Sequence, residues 1–171
     1  MELLLGSGNY PNKRLWFLDK PEWNAVYKID IDPNCNPDLV WDLNNLPLPL
    51  EDEVFDEIHA YDVLEHLGQQ GNWQGFFKEF TEYFRLLKDG GHMFILVPDA
   101  TSIWAWGDPG HTRILTPETF GFLDQDIYNE VGESARTDYR FVWKGNFKIV
   151  HNQLQDHTRQ IILKAVKNNA G

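Results

Sequence analysis

The sequence has little cysteine, few basic residues and no long apolar run. Its 171 residues include one cysteine, Cys35, which excludes an internal disulfide and predicts a reducing, cytoplasmic environment. The 26 acidic residues outnumber the 15 Lys and Arg residues, so the formal net charge is −11. Nucleic acids and anionic membranes are recognised by clustered cations, and the longest basic run is Lys13-Arg14. Both partners are therefore disfavoured.

Long hydrophobic segments are also missing. A helix that spans a bilayer needs about 18 or more apolar residues in succession, and no stretch approaches that length. The first apolar run, Leu3 to Leu5, is too short for a signal peptide and has no basic residues before it. Hydrophobic residues nevertheless make up 42% of the chain. This content and the length predict one domain, residues 1–171, with a substantial core.

Short apolar segments in the first third of the chain are typical of strands. Residues 3–5 end at Gly6, as expected for a buried parallel strand that runs into a turn. Further strands are predicted at 25–31, 39–43 and 55–63. The strand at 25–31 should stop at Asp32-Pro33, because proline has no backbone N–H to donate to a strand ladder.

An amphipathic helix and a fifth strand follow. Apolar residues recur at helical spacing in the helix: Trp73, Phe76, Phe77, Phe80, Phe84 and Leu87. Gly90-Gly91 predicts its left-handed end, and residues 92–99 form the most apolar segment of the chain. This order of strands and crossovers predicts a mostly parallel α/β sheet.

The last part of the chain has a different pattern. Residues 100–115 are predicted to form a loop, and a helix should begin at Thr116 as N-cap with Pro117 in its first turn. Residues 139–150 and 158–167 alternate between apolar and polar types. They predict two antiparallel strands at one edge of the sheet, joined through residues 151–157.

A glycine turn after the first strand is the first candidate site. Gly6-Ser7-Gly8 would let the backbone approach a nucleotide closely, although an ordinary turn explains it as well and a third glycine is missing. Asp30, at the end of the second strand, is placed to accept hydrogen bonds from both hydroxyls of a ribose. The alternative is that Asp30 and Asp32 only end the strand, and of the two we favour Asp30.

Three segments in order resemble a known family. They are "DLNNLPLPLEDEVFDEIHAYDVLEHL" at 42–67, "EFTEYFRLLKDGGHMFILVPD" at 79–99 and "HTRILTPETF" at 111–120. Together with the glycine turn, they resemble the class I S-adenosylmethionine-dependent methyltransferases, especially the small type 11 group. The resemblance covers residues 2–124. It implies a Rossmann-like fold, S-adenosylmethionine as cofactor and methyl transfer as the activity.

The resemblance also implies roles for individual residues. Gly6, Ser7 and Gly8 would line the methionine end of the cofactor. Asp30, with Ile31 beside it, would bind the ribose end, and Asp42 with the backbone of Leu43 would hold the adenine. Tyr61 and Asp62 would flank the sulfonium. The family commonly has a helix before the first strand, so this sequence resembles a minimal version, and residues 9–24 predict a short or irregular first crossover.

The acceptor should bind beyond the carboxyl ends of the strands. The candidates there are His59, Glu65, His66, Pro98, Asp99, Trp104, Trp106, Asp108 and His111. As a catalytic base we favour His111, then His66 and Asp99. The alternatives are a surface histidine, a packing histidine and a loop cap, respectively. Trp104 and Trp106 would cover a planar acceptor, pack in the core or form a self-association surface.

Other chemistries find less support. The sequence has no C-x-x-C and no H-x-x-x-H, and the pair Glu65-His66 lacks a third ligand at a defined spacing, so no metal is predicted. A nicotinamide oxidoreductase would leave Asp42 without a role. The sequence therefore predicts methyl transfer to a small molecule, with a non-catalytic binding or regulatory module as the alternative. The Trp-rich loop is compatible with a homodimer.

Overall fold

A seven-stranded sheet organises the protein. The computed structural model describes residues 1–17 and 19–167. The sheet order is β3-β2-β1-β4-β5-β7-β6. The strands are β1 (Glu2–Leu5), β2 (Val26–Asp30), β3 (Leu39–Val40), β4 (Phe55–Tyr61), β5 (Leu87–Pro98), β6 (Phe147–Gln155) and β7 (Thr158–Ala165). The first five are parallel, whereas β7 is antiparallel to both β5 and β6. The predicted mostly parallel sheet with an antiparallel edge hairpin is confirmed.

The long helix α1 (Trp73–Leu86) crosses from β4 to β5. The side chain of Asn72 caps its start by accepting a hydrogen bond from the backbone N–H of Gly75. The predicted helix end at Gly90-Gly91 was wrong, because β5 begins at Leu87 and both glycines lie inside it. Gly90 does have a positive φ of 73°, and the register between β4 and β5 shifts at this point. The left-handed residue therefore marks a bulge in the strand instead of a helix end.

The two faces of the sheet are covered differently. α1 and the segments after β5 cover one face and complete the main core, to which every second residue of the central strands contributes. The other face is covered by the described residues between β1 and β2, of which Leu15, Phe17 and Trp23 pack on a smaller cluster around Leu4 and Phe94. No helix is present among the residues described between β1 and β2, in agreement with the irregular crossover predicted there.

Short helices connect β5 to the edge hairpin. The predicted loop at 100–115 contains α2 (Ile103–Gly107), which begins at the N-cap Ser102. α3 (Pro117–Gly121) starts as predicted, with Thr116 and Thr119 forming a reciprocal capping box. In the part of the chain that the structure describes, no helix has both the length and the apolarity needed to cross a membrane.

The edge hairpin was predicted with the wrong boundaries. β6 begins at Phe147 instead of 139, and it continues to Gln155 through residues assigned to the connection. Asp156 and His157 alone separate the two strands. β6 is the outermost strand, so its polar side chains face solvent and pay no desolvation penalty. For this reason the polarity of residues 151–155 did not distinguish a strand from a turn.

Candidate functional site

The turn after β1 lies at the carboxyl edge of the sheet. Gly6 and Gly8 have φ values of 61° and 52°, which side chains with a Cβ rarely adopt. A Cβ on Gly6 would lie 2.5 Å from Cγ2 of Val63, the second residue after β4. A Cβ on Gly8 would meet nothing within 4 Å. Gly6 therefore permits close contact between the ends of β1 and β4, and Gly8 leaves open space in front of the turn.

Asp30 connects this turn to the end of β2. Its Oδ2 accepts a hydrogen bond from the backbone N–H of Gly8 at 2.7 Å, and its Oδ1 accepts one from Asp32 at 2.9 Å. A carboxylate offers about four acceptor positions, so two hydrogen bonds leave room for ribose hydroxyls. The carboxylate of Asp32 is engaged with Asn34, where it caps a 3₁₀ turn. Asp30 is therefore the acid that contacts the glycine turn.

Two side chains near Asp30, those of Ser7 and Ile31, lack the contacts that such side chains usually make within a protein. The hydroxyl of Ser7 is buried and has no hydrogen-bond partner among the described residues. Ile31, the residue after Asp30, is 65% exposed although it is aliphatic. A bound ligand could accept or donate a hydrogen bond at the Ser7 hydroxyl and cover the apolar side chain of Ile31, so both features are typical of a binding site.

Asp42 and Leu43 lie in a tight turn after β3. The Oδ1 of Asp42 accepts hydrogen bonds from the backbone and side-chain N–H groups of Asn44, at 2.9 and 3.1 Å. Leu43 is buried in the main core. The amide oxygen of Asn44 accepts a hydrogen bond from the N–H of Gly68 at 3.0 Å. The turn predicted to hold adenine is thereby tied to the segment that follows β4.

Tyr61, whose role beside the sulfonium stays a prediction, packs on the sheet face opposite α1. Its ring is buried on the face covered by residues 9–24, and its hydroxyl lies 2.6 Å from Nδ1 of His59. The same hydroxyl accepts a hydrogen bond from the backbone N–H of Leu15. This placement argues for a packing role, because the alternation of side chains along β4 sends the ring to this face. Asp62 is exposed and forms an ion pair with Arg14 at 2.6 Å.

His59 and Asp99, two of the acceptor-site candidates, are committed elsewhere. His59 is completely buried, with Nε2 bonded to Glu57 at 3.0 Å. Asp99 accepts hydrogen bonds from the hydroxyl and backbone N–H of Thr101 and forms an ion pair with Arg159 at 2.6 Å. These contacts, with Thr101 first, lower the pKa of Asp99 to about 2. The prediction that Asp99 is a base is therefore disfavoured, and the loop cap is the role that the contacts support.

Four other candidates converge beyond the end of β4. Nε2 of His111 lies 3.9 Å from Oε1 of Glu65 and 3.9 Å from Oδ2 of Asp108. The ring of His66 packs edge-on against that of His111, with 4.6 Å between centroids. Burial raises the pKa of Glu65 to about 7, since neither carboxylate oxygen has a hydrogen-bond partner among the described residues. The sequence predicted His66 and His111 separately, and the fold brings them together.

A cavity of about 500 Å³ adjoins His111. Its wall also includes Trp106, whose ring is 70% exposed, so the core alternative for this tryptophan was wrong. The same holds for Trp104, which is 64% exposed, whereas Pro98 is half-buried at the end of β5. The polar lining residues are Gln70, Thr112, Arg113, Thr116 and Thr119. None of the five was predicted as a site residue, because nothing in their spacing points to a binding role.

Comparison with known proteins identifies the family. A family model described as a methyltransferase domain matches residues 5–95, more than half of the chain. The chain belongs to this methyltransferase family. The matched residues contain the glycine turn, Asp30, Asp42 and the Glu65-His66 pair. No curated protein sequence matches the chain significantly.

Solved methyltransferases share the fold at low sequence identity. An S-adenosylmethionine-dependent methyltransferase from Archaeoglobus fulgidus superposes with a TM-score of 0.59 at 16% identity, over 95% of this chain and 85% of that one. The N-methyltransferase NodS from Bradyrhizobium japonicum gives 0.56 at 14% identity, over 97% and 85%. A methyltransferase from Haloferax volcanii, in complex with the activator Trm112, gives 0.58 at 13% identity, over 97% and 82%.

The cofactor of this methyltransferase is S-adenosylmethionine, and the residues at the edge of the sheet fit it. Asp30 retains acceptor positions for a ribose, and Ile31 offers an exposed apolar surface beside it. The unpartnered hydroxyl of Ser7 lies in the glycine turn, at the end where the amino-acid part would bind. The individual roles of the predicted cofactor residues stay predictions.

Proposed function

We propose that this methyltransferase transfers the methyl group of S-adenosylmethionine to a small molecule bound in the 500 Å³ cavity beside His111. The observation that carries the proposal is that the segment Leu64 to Gly68 contacts both the turn predicted to hold adenine and the wall of the cavity. Gly68 bonds to Asn44 in the turn predicted to hold adenine, and the carbonyl of Glu65 accepts a hydrogen bond from Thr112 in the cavity wall. One short segment thus separates the cofactor residues from the cavity.

The chemistry asks mainly for positioning. Methyl transfer is an in-line displacement at the carbon of a sulfonium, and a base is needed only when the acceptor is a hydroxyl or a charged amine. His111 and His66 remain the predicted bases. Glu65 lies 3.9 Å from His111, and its pKa of about 7 makes it a third group that can exchange a proton near neutral pH. The excess of acidic residues supports a neutral or cationic acceptor over a polyanion.

Two further expectations belong to this proposal. Residues 1–171 act as one domain, which the single sheet of seven strands supports. The cytoplasm is the compartment, and the one cysteine in the sequence, Cys35, supports a reducing environment.

The experiment is isothermal titration with S-adenosylmethionine and, separately, with S-adenosylhomocysteine. Asp30→Asn keeps the size of the side chain and removes the charge that would receive the ribose hydroxyls. We expect this variant to bind about 10- to 100-fold more weakly, because a charge-assisted hydrogen bond is lost. Asp32→Asn is the matched control, since it makes the same change two residues away, and it should bind as the wild type does.

Failure of both ligands to bind the folded wild-type chain would contradict the proposal. The non-catalytic module would then be favoured, and one feature supports it. Ile103, Trp104 and Trp106 are each more than 60% exposed and form an apolar surface on and around α2. Binding of both ligands would make a screen of acceptors, with His111→Gln as the variant, the next step.

A further inference from the structure

The cluster beyond β4 contains a buried carboxyl group, that of Glu65, with no hydrogen-bond partner among the described residues. Glu65 is 3% exposed, and neither oxygen of its carboxylate has a hydrogen-bond partner among the described residues. The nearest guanidinium, Arg113, is committed to both oxygens of Glu79 at 2.8 and 2.9 Å and to the carbonyl of Leu64. A buried carboxylate without a partner is costly, so a cation held at this point would stabilise it.

Two histidines beside this carboxylate each have one ring nitrogen next to a backbone carbonyl oxygen. Nδ1 of His111 lies 3.3 Å from the carbonyl oxygen of Ala105, and Nδ1 of His66 lies 3.1 Å from that of Gly110. When Nδ1–H donates to a carbonyl, the lone pair of the neutral ring is on Nε2. This backbone contact is the usual way in which proteins fix the tautomer and the direction of a metal-binding histidine.

The spacing of these groups suits one ion. One ligand atom from each of Glu65, His66 and His111 lies within 4.8 Å of the other two. Ligands held about 2.1 Å from a common ion are about 3.0 to 4.2 Å apart, and the distance of 3.9 Å from His111 to Glu65 falls in that range. Asp108 lies at the same distance from His111 and is half-exposed, as is expected of a ligand at the entry path.

We infer that Glu65, His66 and His111 form a binding site for one divalent transition-metal ion, with Asp108 beside it at the entry path. Two imidazoles and a carboxylate favour Zn²⁺ and its neighbours Co²⁺ and Ni²⁺ over Mg²⁺ or Ca²⁺, which prefer oxygen ligands alone. The sequence predicted no metal because Glu65-His66 had no third ligand nearby, and His111 reaches the pair only through the fold.

An ion at this position would lie next to the proposed acceptor cavity. His111 also lines the 500 Å³ cavity, so an open coordination position would face the space where the acceptor is proposed to bind. An ion there would lower the pKa of a bound hydroxyl, and it would replace His66 and His111 as the means of activating the acceptor because their Nε2 atoms would be coordinated. This consequence rests on the proposed function, whereas metal binding itself does not.

The experiment measures metal binding in the full chain, purified without a histidine tag and treated with a chelator. Zn²⁺ is titrated by calorimetry, and Co²⁺ is added to detect its visible absorption bands. We expect one equivalent of Zn²⁺, a rise in the melting temperature and a cobalt spectrum typical of four or five ligands. Glu65→Gln and His111→Gln should each weaken Zn²⁺ binding by about 100-fold. His157→Gln, in the turn between β6 and β7, is the control and should leave binding unchanged.

The controls separate this site from adventitious binding and from misfolding. Circular dichroism checks that each variant folds, and two ligand variants on different segments are used so that the loss of one does not end the test. The inference is wrong if the folded wild type binds no Zn²⁺, if it binds Mg²⁺ equally well, or if His157→Gln weakens binding as much as the ligand variants. Titration with S-adenosylmethionine is done on the same samples, so failure of the cofactor site is seen independently.

Discussion

At the scale of single residues, a buried polar network lies on the sheet face that residues 9–24 cover. Lys13 forms ion pairs with Glu2 at 2.7 Å and with Glu57 at 2.8 Å, and Glu57 also contacts His59. The second oxygen of Glu2 accepts hydrogen bonds from two backbone N–H groups before β2. The network thus satisfies charged groups beneath a segment in which the described residues form no helix.

Glu57 makes the stability of this network sensitive to acid. Burial raises its pKa, but hydrogen bonds from His59 and Lys13 outweigh this effect and lower the pKa from 4.5 to about 2. Between these two values the unfolded chain binds more protons than the folded chain. The stabilisation by Glu57 is therefore complete above about pH 4.5 and is lost as the pH falls toward 2.

We expect Glu57→Gln to lower the free energy of unfolding at pH 7 by about 2 kcal/mol, because Lys13 loses one of its two partners. Below pH 4.5 the variant should lose less stability than the wild type. Urea unfolding followed by circular dichroism at several pH values measures both. Glu133→Gln, at an exposed residue, is the control. Curves for Glu57→Gln and wild type that stay parallel below pH 4.5 would contradict the assignment.

Some features of the site can be predicted from the sequence pattern, whereas others depend on the three-dimensional fold. Asp30 was predicted as the ribose-binding acid because the end of a strand and its distance from Gly8 are visible in the sequence. The sheet face on which Tyr61 lies was not predicted, because alternation along β4 gives two faces and does not say which residues each one carries. The meeting of His66 with His111 depends on the path of the loop after β5, which no local pattern encodes.

At the scale of elements, Trp143 anchors the segment between α3 and β6 to the core. Trp143 is completely buried between α1 and β6, where its ring packs against Phe77, Phe84 and Phe147. Its indole N–H donates to the carbonyl of Leu123 at 2.9 Å. The residue was predicted to lie in a strand, and its apolar alternation instead reflects anchoring of the segment to the core.

We expect Trp143→Ala to lower the free energy of unfolding by about 3 to 5 kcal/mol, through the cavity it leaves and the hydrogen bond it removes. Trp104→Ala is the matched control, and it should change the stability by less than about 0.5 kcal/mol because its ring is mostly exposed. Urea unfolding monitored by far-ultraviolet circular dichroism compares the two. Equal losses in both variants would show that the segment is not anchored by Trp143.

The elements themselves were largely readable from the sequence. The strands β1 to β5 and the helix α1 follow from the apolar pattern of the sequence, and the capped start of α3 follows from Thr116 and Pro117. The edge hairpin was misjudged because β6 is only partly covered, so burial imposes little pattern on it. The short helix α2 was missed since one turn of helix leaves no periodicity to detect.

At the scale of the whole molecule, net charge and apolar surface act in opposite directions. Two copies of a chain with a net charge of −11 repel each other. Ile103, Trp104 and Trp106 give each copy an exposed apolar surface that association would cover. The predicted homodimer therefore depends on which effect is larger, and salt alters only the first.

We expect a concentration-dependent dimer whose association strengthens as salt is raised, because screening at about 1 M shortens the range of the repulsion to about 3 Å while the apolar contact persists. Sedimentation velocity at low and high salt measures the association. Trp104→Ser should abolish it, and Phe141→Ser, at an exposed aromatic residue on a different segment, should leave it unchanged. A wild-type monomer at every salt concentration would contradict the homodimer and would leave this apolar surface to cover the acceptor cavity that Trp106 lines.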